Sequence, residues 1–124
     1  MTARELDVAR TFLDVLKAAA QSGDRTALYP LLAEDVEWST PQRDVHGLGT
    51  AQDDLKWIKP PDNLDVEFDE PELSDLGGGH VVSDIHEVYR MKGTGEFAYA
   101  CDRRIELTIR DGKVARYEMR IVGR

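Results

Sequence analysis

The sequence predicts an α+β layer fold, about three N-terminal helices followed by an antiparallel meander of strands. Three observations carry that reading. Apolar residues recur at helical spacing through the first third of the chain, the period changes to two beyond residue 63, and the period-two segments are separated by glycine-bearing turns.

The spacing predicts a first helix over 3–21, where Leu6, Ala9, Phe12 or Leu13, Leu16 and Ala19 or Ala20 form one stripe. Thr2 can cap it, with Glu5 three residues on, and Ser22-Gly23 closes it. "GDRTALYPLLAED" predicts a short second helix capped by Asp24 and burying Leu28, Leu31 and Leu32. Pro30 lacks the N–H that would bond back to Thr26, so a break or tightened turn is expected near Tyr29. "VEWST" reads as a strand ended by Pro41. The loop "PQRDVHGLG" then leads to a third helix, from about Ala51 to Lys59, capped by Thr50 and stopped by Pro60-Pro61.

In the second half "LDVEFDEPEL", "HVVSDIHEVYRM", "EFAYACDRRIELTIR" and "KVARYEMRIV" alternate as strands do. Gly77-Gly78-Gly79, Gly93-Thr94-Gly95 and Asp111-Gly112 separate them, and Asp-Gly suits a two-residue hairpin.

A chain of 124 residues is one domain's worth, so residues 1–124 are read as a single unit. The 32% charged and 41% hydrophobic residues fit a globular protein. The net charge of −8 argues against nucleic-acid and anionic-membrane partners. Residues 1–89 carry 7 Lys/Arg against 19 Asp/Glu and residues 90–124 carry 9 against 5, which reads as a basic C-terminal sheet facing an acidic remainder. The lone Cys101 has no internal disulfide partner, no run approaches 18 apolar residues, and the first residues lack the apolar core of a signal peptide. A cytoplasmic protein is the expectation.

The passages "GDRTALYPLLAEDVEWSTP", "HGLGTAQDDLKWI" and "RIELTIRDGKVARYEM" resemble the NTF2-like superfamily, in particular its SnoaL-like and ketosteroid-isomerase-like branches, over nearly the whole chain. The resemblance implies a cone-shaped (cystatin-like) fold, a curved, mainly antiparallel sheet wrapped around the helices with an apolar pocket, and a homodimer. The residues themselves hold no phosphate loop, nucleotide fingerprint or dense metal motif, so no cofactor or metal is expected. The resemblance marks the fold and leaves activity open, because the same fold hosts isomerases, hydrolases, dehydratases, cyclases and binding modules. Carried over residue by residue, the isomerase branch's carboxylate base falls on Thr40, its oxyanion-binding tyrosine on Leu16 and its protonated aspartate on Ile105. The final-strand aspartate of the epoxide-hydrolase-like members falls on Met119. Each is replaced, so neither route of catalysis is open to this chain as those members run it.

What stands out from the residues themselves is Arg103. The odd positions Phe97, Tyr99, Cys101, Arg103, Ile105, Leu107 and Ile109 share a strand face that is otherwise largely apolar. A buried guanidinium needs a partner. Glu87 is the polar exception on the face of Val81, Ser83, Ile85 and Tyr89. Three readings stand: an Arg103–Glu87 ion pair, an anion-holding site for a ligand carboxylate or enolate, and a register slip or dimer contact. Tyr99 can offer a hydroxyl to the same cavity, and Trp38, Phe12, Leu16, Tyr117 and Met119 are candidate ligand-contacting walls or plain core. The even positions Asp102, Arg104, Glu106, Arg116, Glu118 and Arg120 read as a solvated, salt-bridged surface.

Among the histidines, His80 and His86 are too far apart along one strand for a shared metal, about 20 Å. Asp84 with His86 is a conceivable base and orienter. His46, in the loop after the first strand, lies at the rim of a family-type pocket. The expectation is therefore a cofactor-free protein binding a small apolar molecule that bears a carbonyl or carboxylate. If it is catalytic, Arg103 is the anion holder and Glu87 or His46 the base of a proton transfer or of water addition or elimination. The alternative is a non-catalytic dimerisation or ligand-sensing module, in which Arg103 and Glu87 close on each other and side chains fill the pocket.

Overall fold

In a computed structural model that describes residues 2–24, 26–40, 44–47, 63–69 and 72–122, the N-terminal stripe forms helix α1, Thr2–Ser22. Gly23 ends it at φ 82°, its N–H donating to the Ala19 carbonyl at 2.7 Å, as a left-handed glycine cap does. The expected Thr2 cap rests on a side chain outside the described residues. Phe12 and Leu13 are fully buried.

The expected second helix is a 3₁₀ helix, Thr26–Leu31, rather than an α-helix, with Pro30 inside it. The missing proline N–H breaks the longer-range ladder, and the tighter winding is what remains available. Asp24 caps it as expected: its Oδ1 accepts from the Thr26 N–H at 3.1 Å and from the Thr26 hydroxyl at 2.8 Å. Leu28 is buried there, while Leu32 already opens the next strand. The described residues thus hold one α-helix where about three helices were expected, and the third, 51–59, lies outside them.

Seven strands follow among the described residues: β1 Leu32–Ser39, β2 Asp44–His46, β3 Leu64–Phe68, β4 Glu72–Gly77, β5 His80–Met91, β6 Phe97–Arg110 and β7 Lys113–Ile121. They form one sheet in the order β2-β1-β7-β6-β5-β3, with β4 also on β5. Two expectations change. The single strand read across "LDVEFDEPEL" is two, β3 and β4, and both pair with β5 at different stretches of its length. The loop after β1 contains β2, paired antiparallel to it.

The sheet is antiparallel throughout except where β1 pairs parallel with β7, Trp38 beside Tyr117. Asp111 and Gly112, at φ 55° and 76°, make the two-residue hairpin between β6 and β7, the double positive φ of a type I′ turn. Gly79, at φ 83°, does a second job: its carbonyl accepts the Ile109 N–H at 2.8 Å, and a Cβ there would collide with the Ile109 carbonyl. Register shifts at Tyr89/Arg90 and Thr108/Ile109 bend the long strands, and α1 packs across β3 to β7 on one face.

That inner face holds the core, with Val81, Ile85, Ile105, Leu107, Val114 and Tyr117 meeting Phe12 and Leu13 of α1. The outer face is charged, as the even positions predicted. Arg104 chelates Asp84 with Nε and one terminal nitrogen at 2.9 and 3.2 Å, and Arg120 reaches Glu106 at 2.7 Å. The basic residues of the last strands therefore find many of their acids within the same sheet rather than on a separate acidic layer. Among the described residues no helix is long and apolar enough to cross a membrane.

Candidate functional site

Glu87 and Arg103 meet on the inner face. Strand pairing sets Glu87 opposite Cys101 and Arg103 opposite Ile85, and the side chains close the diagonal, Arg103 Nε to Glu87 Oε2 at 2.8 Å. The Glu87 side chain is 9% exposed and that of Arg103 24%. The ion pair read from the sequence is thus present, and no slip disturbs the β6 register there.

Tyr89 completes the cluster; parity puts it on this face, and the sequence alone assigns it no role. Its hydroxyl donates to Glu87 Oε1 at 2.8 Å, so both carboxylate oxygens are engaged. The available signal was the i, i+2 spacing of Glu87 and Tyr89 on one strand, which brings two side chains to the same face. Tyr89 also stacks on Tyr99, directly across the ladder, with ring centroids 4.5 Å apart at 18°. Tyr99 itself is 45% exposed, so its ring backs the cluster while one side meets solvent.

The electrostatics agree with the contacts. Burial pushes the Tyr89 phenol well above its usual range, and the neighbouring Glu87 charge and hydrogen bond push it further. Burial pulls the Arg103 guanidinium downward, yet the Glu87 charge and hydrogen bond outweigh it and leave the group raised. Arg103 is a permanent cation in this setting.

A second arginine nitrogen is less well served. Arg103 Nη1 donates to the Met119 thioether at 3.3 Å, a weak acceptor. Met119 thus lies beside the charged cluster as well as against the core. Tyr99 and Ile121 (48% exposed) continue the inward-facing rows of β6 and β7 beside Arg103, where the face is open among the described residues. The register shift at Tyr89/Arg90 sets Phe97 opposite the outward Arg90, off the inner row where parity had it.

The remaining expected walls are deep in the core. Trp38 stacks on Tyr117 at 3.8 Å and 12°, with Phe12 edge-on to both. All three are buried, and Leu16 packs against them partly covered. Trp38 Nε1 and Ser83 Oγ are buried without a hydrogen-bond partner among the described residues. His46 lies in β2, its backbone opposite Glu37, and its side chain is outside the described residues. His86 and Asp84 do not pair: His86 Nδ1 lies 2.6 Å from Asp102 Oδ1 on the outer face, and Asp84 belongs to Arg104. His80 Nδ1 is 3.2 Å from the Thr108 hydroxyl.

Chemically, Glu87 is a pinned carboxylate. Arg103 engages one of its oxygens and the Tyr89 hydroxyl the other, so in this arrangement neither is presented to a substrate as a general base must be. Arg103 can still receive an oxygen acceptor at the edge now facing sulfur.

No family model matches the chain, and no curated protein matches it. Solved structures do. An NTF2-like protein from Anabaena variabilis ATCC 29413 superposes with a TM-score of 0.79 at 13% identity, covering 98% of this chain and 91% of that one. A candidate isomerase from Bacillus subtilis gives 0.75 at 18% identity over 95% and 88%. A candidate polyketide cyclase from Xanthomonas campestris pv. campestris gives 0.68 at 17% identity over 95% and 90%. Likeness at these identities establishes the fold, and the activities of those proteins remain theirs.

Proposed function

We propose that this chain, which has the NTF2-like fold, binds a small and largely apolar organic molecule through an oxygen acceptor held by Arg103 on the inner face of the sheet. The observation that carries this reading is the Arg103 Nη1 contact to the Met119 sulfur, a strong donor meeting a weak acceptor beside the open apolar end of the face. Tyr99 and Ile121 supply surface there for the apolar part of the ligand. The candidate cyclase and isomerase among the structural neighbours support small-molecule work on this fold.

Of the two roles open to such a site, the closed Arg103–Glu87 pair favours binding without turnover. The binding-module reading requires those two groups to meet, and they do, at 2.8 Å. A cofactor-free isomerase, hydrolase or dehydratase would need Glu87 released from Arg103 and Tyr89 first. Self-association through the sheet, as a symmetric pair, belongs to the same reading. A cytoplasmic setting fits the free thiol of Cys101.

A thermal-shift screen of small ketones, acids and epoxides tests the proposal on wild type, Arg103→Leu and the doubly apolar Arg103→Leu/Glu87→Leu. A compound that raises the melting temperature of wild type and of neither folded variant supports it. A screen in which every stabilising compound acts equally on wild type and the double variant removes Arg103 from ligand binding.

A further inference from the structure

Glu87 sets the charge of this site before a ligand arrives. Its bond to Arg103 Nε at 2.8 Å cancels the two formal charges where the side chains are 9% and 24% exposed. Its other oxygen is held by the Tyr89 hydroxyl at 2.8 Å. Around it, β6 brings Cys101, Tyr99 and Arg103, and β3 brings the apolar Phe68 and Val66 opposite Glu87 and Tyr89. On α1 the cation Lys17 pairs with Asp14 at 3.9 Å. Among the described residues, Arg103 is the cation on the inward-facing rows of β3, β5, β6 and β7.

An oxygen brought to the Nη1 edge replaces a thioether at 3.3 Å with a good acceptor. A neutral carbonyl makes that exchange and leaves the local charge at zero. A carboxylate makes it while placing a second anion beside Glu87, on a cation whose charge is already balanced in partly desolvated surroundings. Like charges at that range oppose each other, and burial magnifies the cost.

We propose that Glu87 is a specificity-determining residue that makes this site admit neutral carbonyl compounds, ketones and esters, and refuse carboxylates. The inference rests on the ligand-binding reading above. Glu87 acts here through charge and takes no proton, so the role differs from that of a catalytic base.

Acetophenone and benzoate are matched probes, sharing a ring and differing little in size. In titrations of the full chain followed by amide chemical shifts, wild type is expected to bind acetophenone more tightly than benzoate by about tenfold or more. In Glu87→Gln the guanidinium is left without a counter-charge, so benzoate should tighten by about tenfold while acetophenone changes by less than about threefold. Methyl benzoate, the neutral ester, should follow acetophenone in both proteins. Benzoate binding wild type as tightly as acetophenone overturns the inference and leaves the ligand site standing. An unmoved preference in Glu87→Gln assigns the selection to something other than Glu87 and overturns it too. If no probe moves a resonance in either protein, the ligand-binding reading fails and this inference with it. The wild-type comparison of ester with acid decides the matter alone should Glu87→Gln not fold.

Discussion

Glu87 and Arg103 are diagonal partners across β5 and β6: Glu87 stands opposite Cys101, Arg103 opposite Ile85, and the 2.8 Å contact spans the offset between them. A diagonal contact needs long side chains, and these two are long enough. The pair is also more buried at its acid end than at its base end, which determines what each replacement should do.

Arg103→Leu leaves a buried carboxylate with only the Tyr89 hydroxyl. The expected loss is roughly 3–5 kcal/mol, read by urea denaturation. The double variant Arg103→Leu/Glu87→Leu should recover most of it, because two packed apolar groups carry no desolvation penalty. A single-variant loss below about 1 kcal/mol would place the pair with ordinary solvated surface bridges.

Tyr89→Phe keeps the ring that stacks on Tyr99 and deletes the hydroxyl that donates to Glu87 Oε1. Hydrogen bonds to a charged group contribute about 1.5–3 kcal/mol, and partial exposure puts the expected loss near the lower end. The same denaturation curves measure it. A neutral result would mean that water serves Glu87 Oε1 as well as the phenol does.

On the outer face, the Asp102 hydrogen bond raises the His86 pKa above its ordinary 6.5, with the Asp102 charge adding to it. A raised folded-state value means that the protonated pair stabilises the fold fully below the unfolded value and that this contribution fades as pH rises through the folded one. Wild type should therefore exceed Asp102→Asn in melting temperature most at low pH, below about 6, and the gap should close under alkaline conditions. An NMR titration of His86 giving a midpoint at or below 6.5 would contradict the assignment.

Gly79 and Gly93 separate two costs that are usually confounded. Both have left-handed φ, 83° and 89°, but a Cβ at Gly79 collides with the Ile109 carbonyl while one at Gly93 meets open space. Gly93→Ala is expected to cost about 1–2 kcal/mol for conformation alone. Gly79→Ala should cost about 1–3 kcal/mol more, because the β6 backbone must move. Equal losses would show that the turn relaxes freely.

Much of the sheet was legible because burial there follows parity. β5 matches its predicted bounds, β6 and β7 differ from theirs by a residue at one end, and the Asp111-Gly112 hairpin is where the dipeptide put it. Arg103 and Glu87 were legible for the same reason, each a polar residue on an apolar row. Alternation alone could not locate the break between β3 and β4, since both halves keep a period of two and only their partner stretches on β5 distinguish them. Nor could it foresee the register shift that sets Phe97 opposite the outward Arg90, or that Tyr99, inward by parity, would be exposed. Parity names a face; what covers that face is decided by elements far away in sequence. Met119 shows the same limit, apolar by type yet placed against a guanidinium nitrogen.

The parallel pairing of β1 with β7 has a temporal consequence. Trp38 acquires its stacking partner Tyr117 from a strand about 80 residues downstream. At a synthesis rate of roughly 5–20 residues per second, β1 waits for several seconds before its neighbour exists. During that interval Trp38 and Val36 present an unpaired strand edge beside an unfinished core. Assembly of this sheet is thus gated by β7, which joins β1 to the other strands, and its refolding in vitro should carry the slow signature of non-local closure rather than that of its helix.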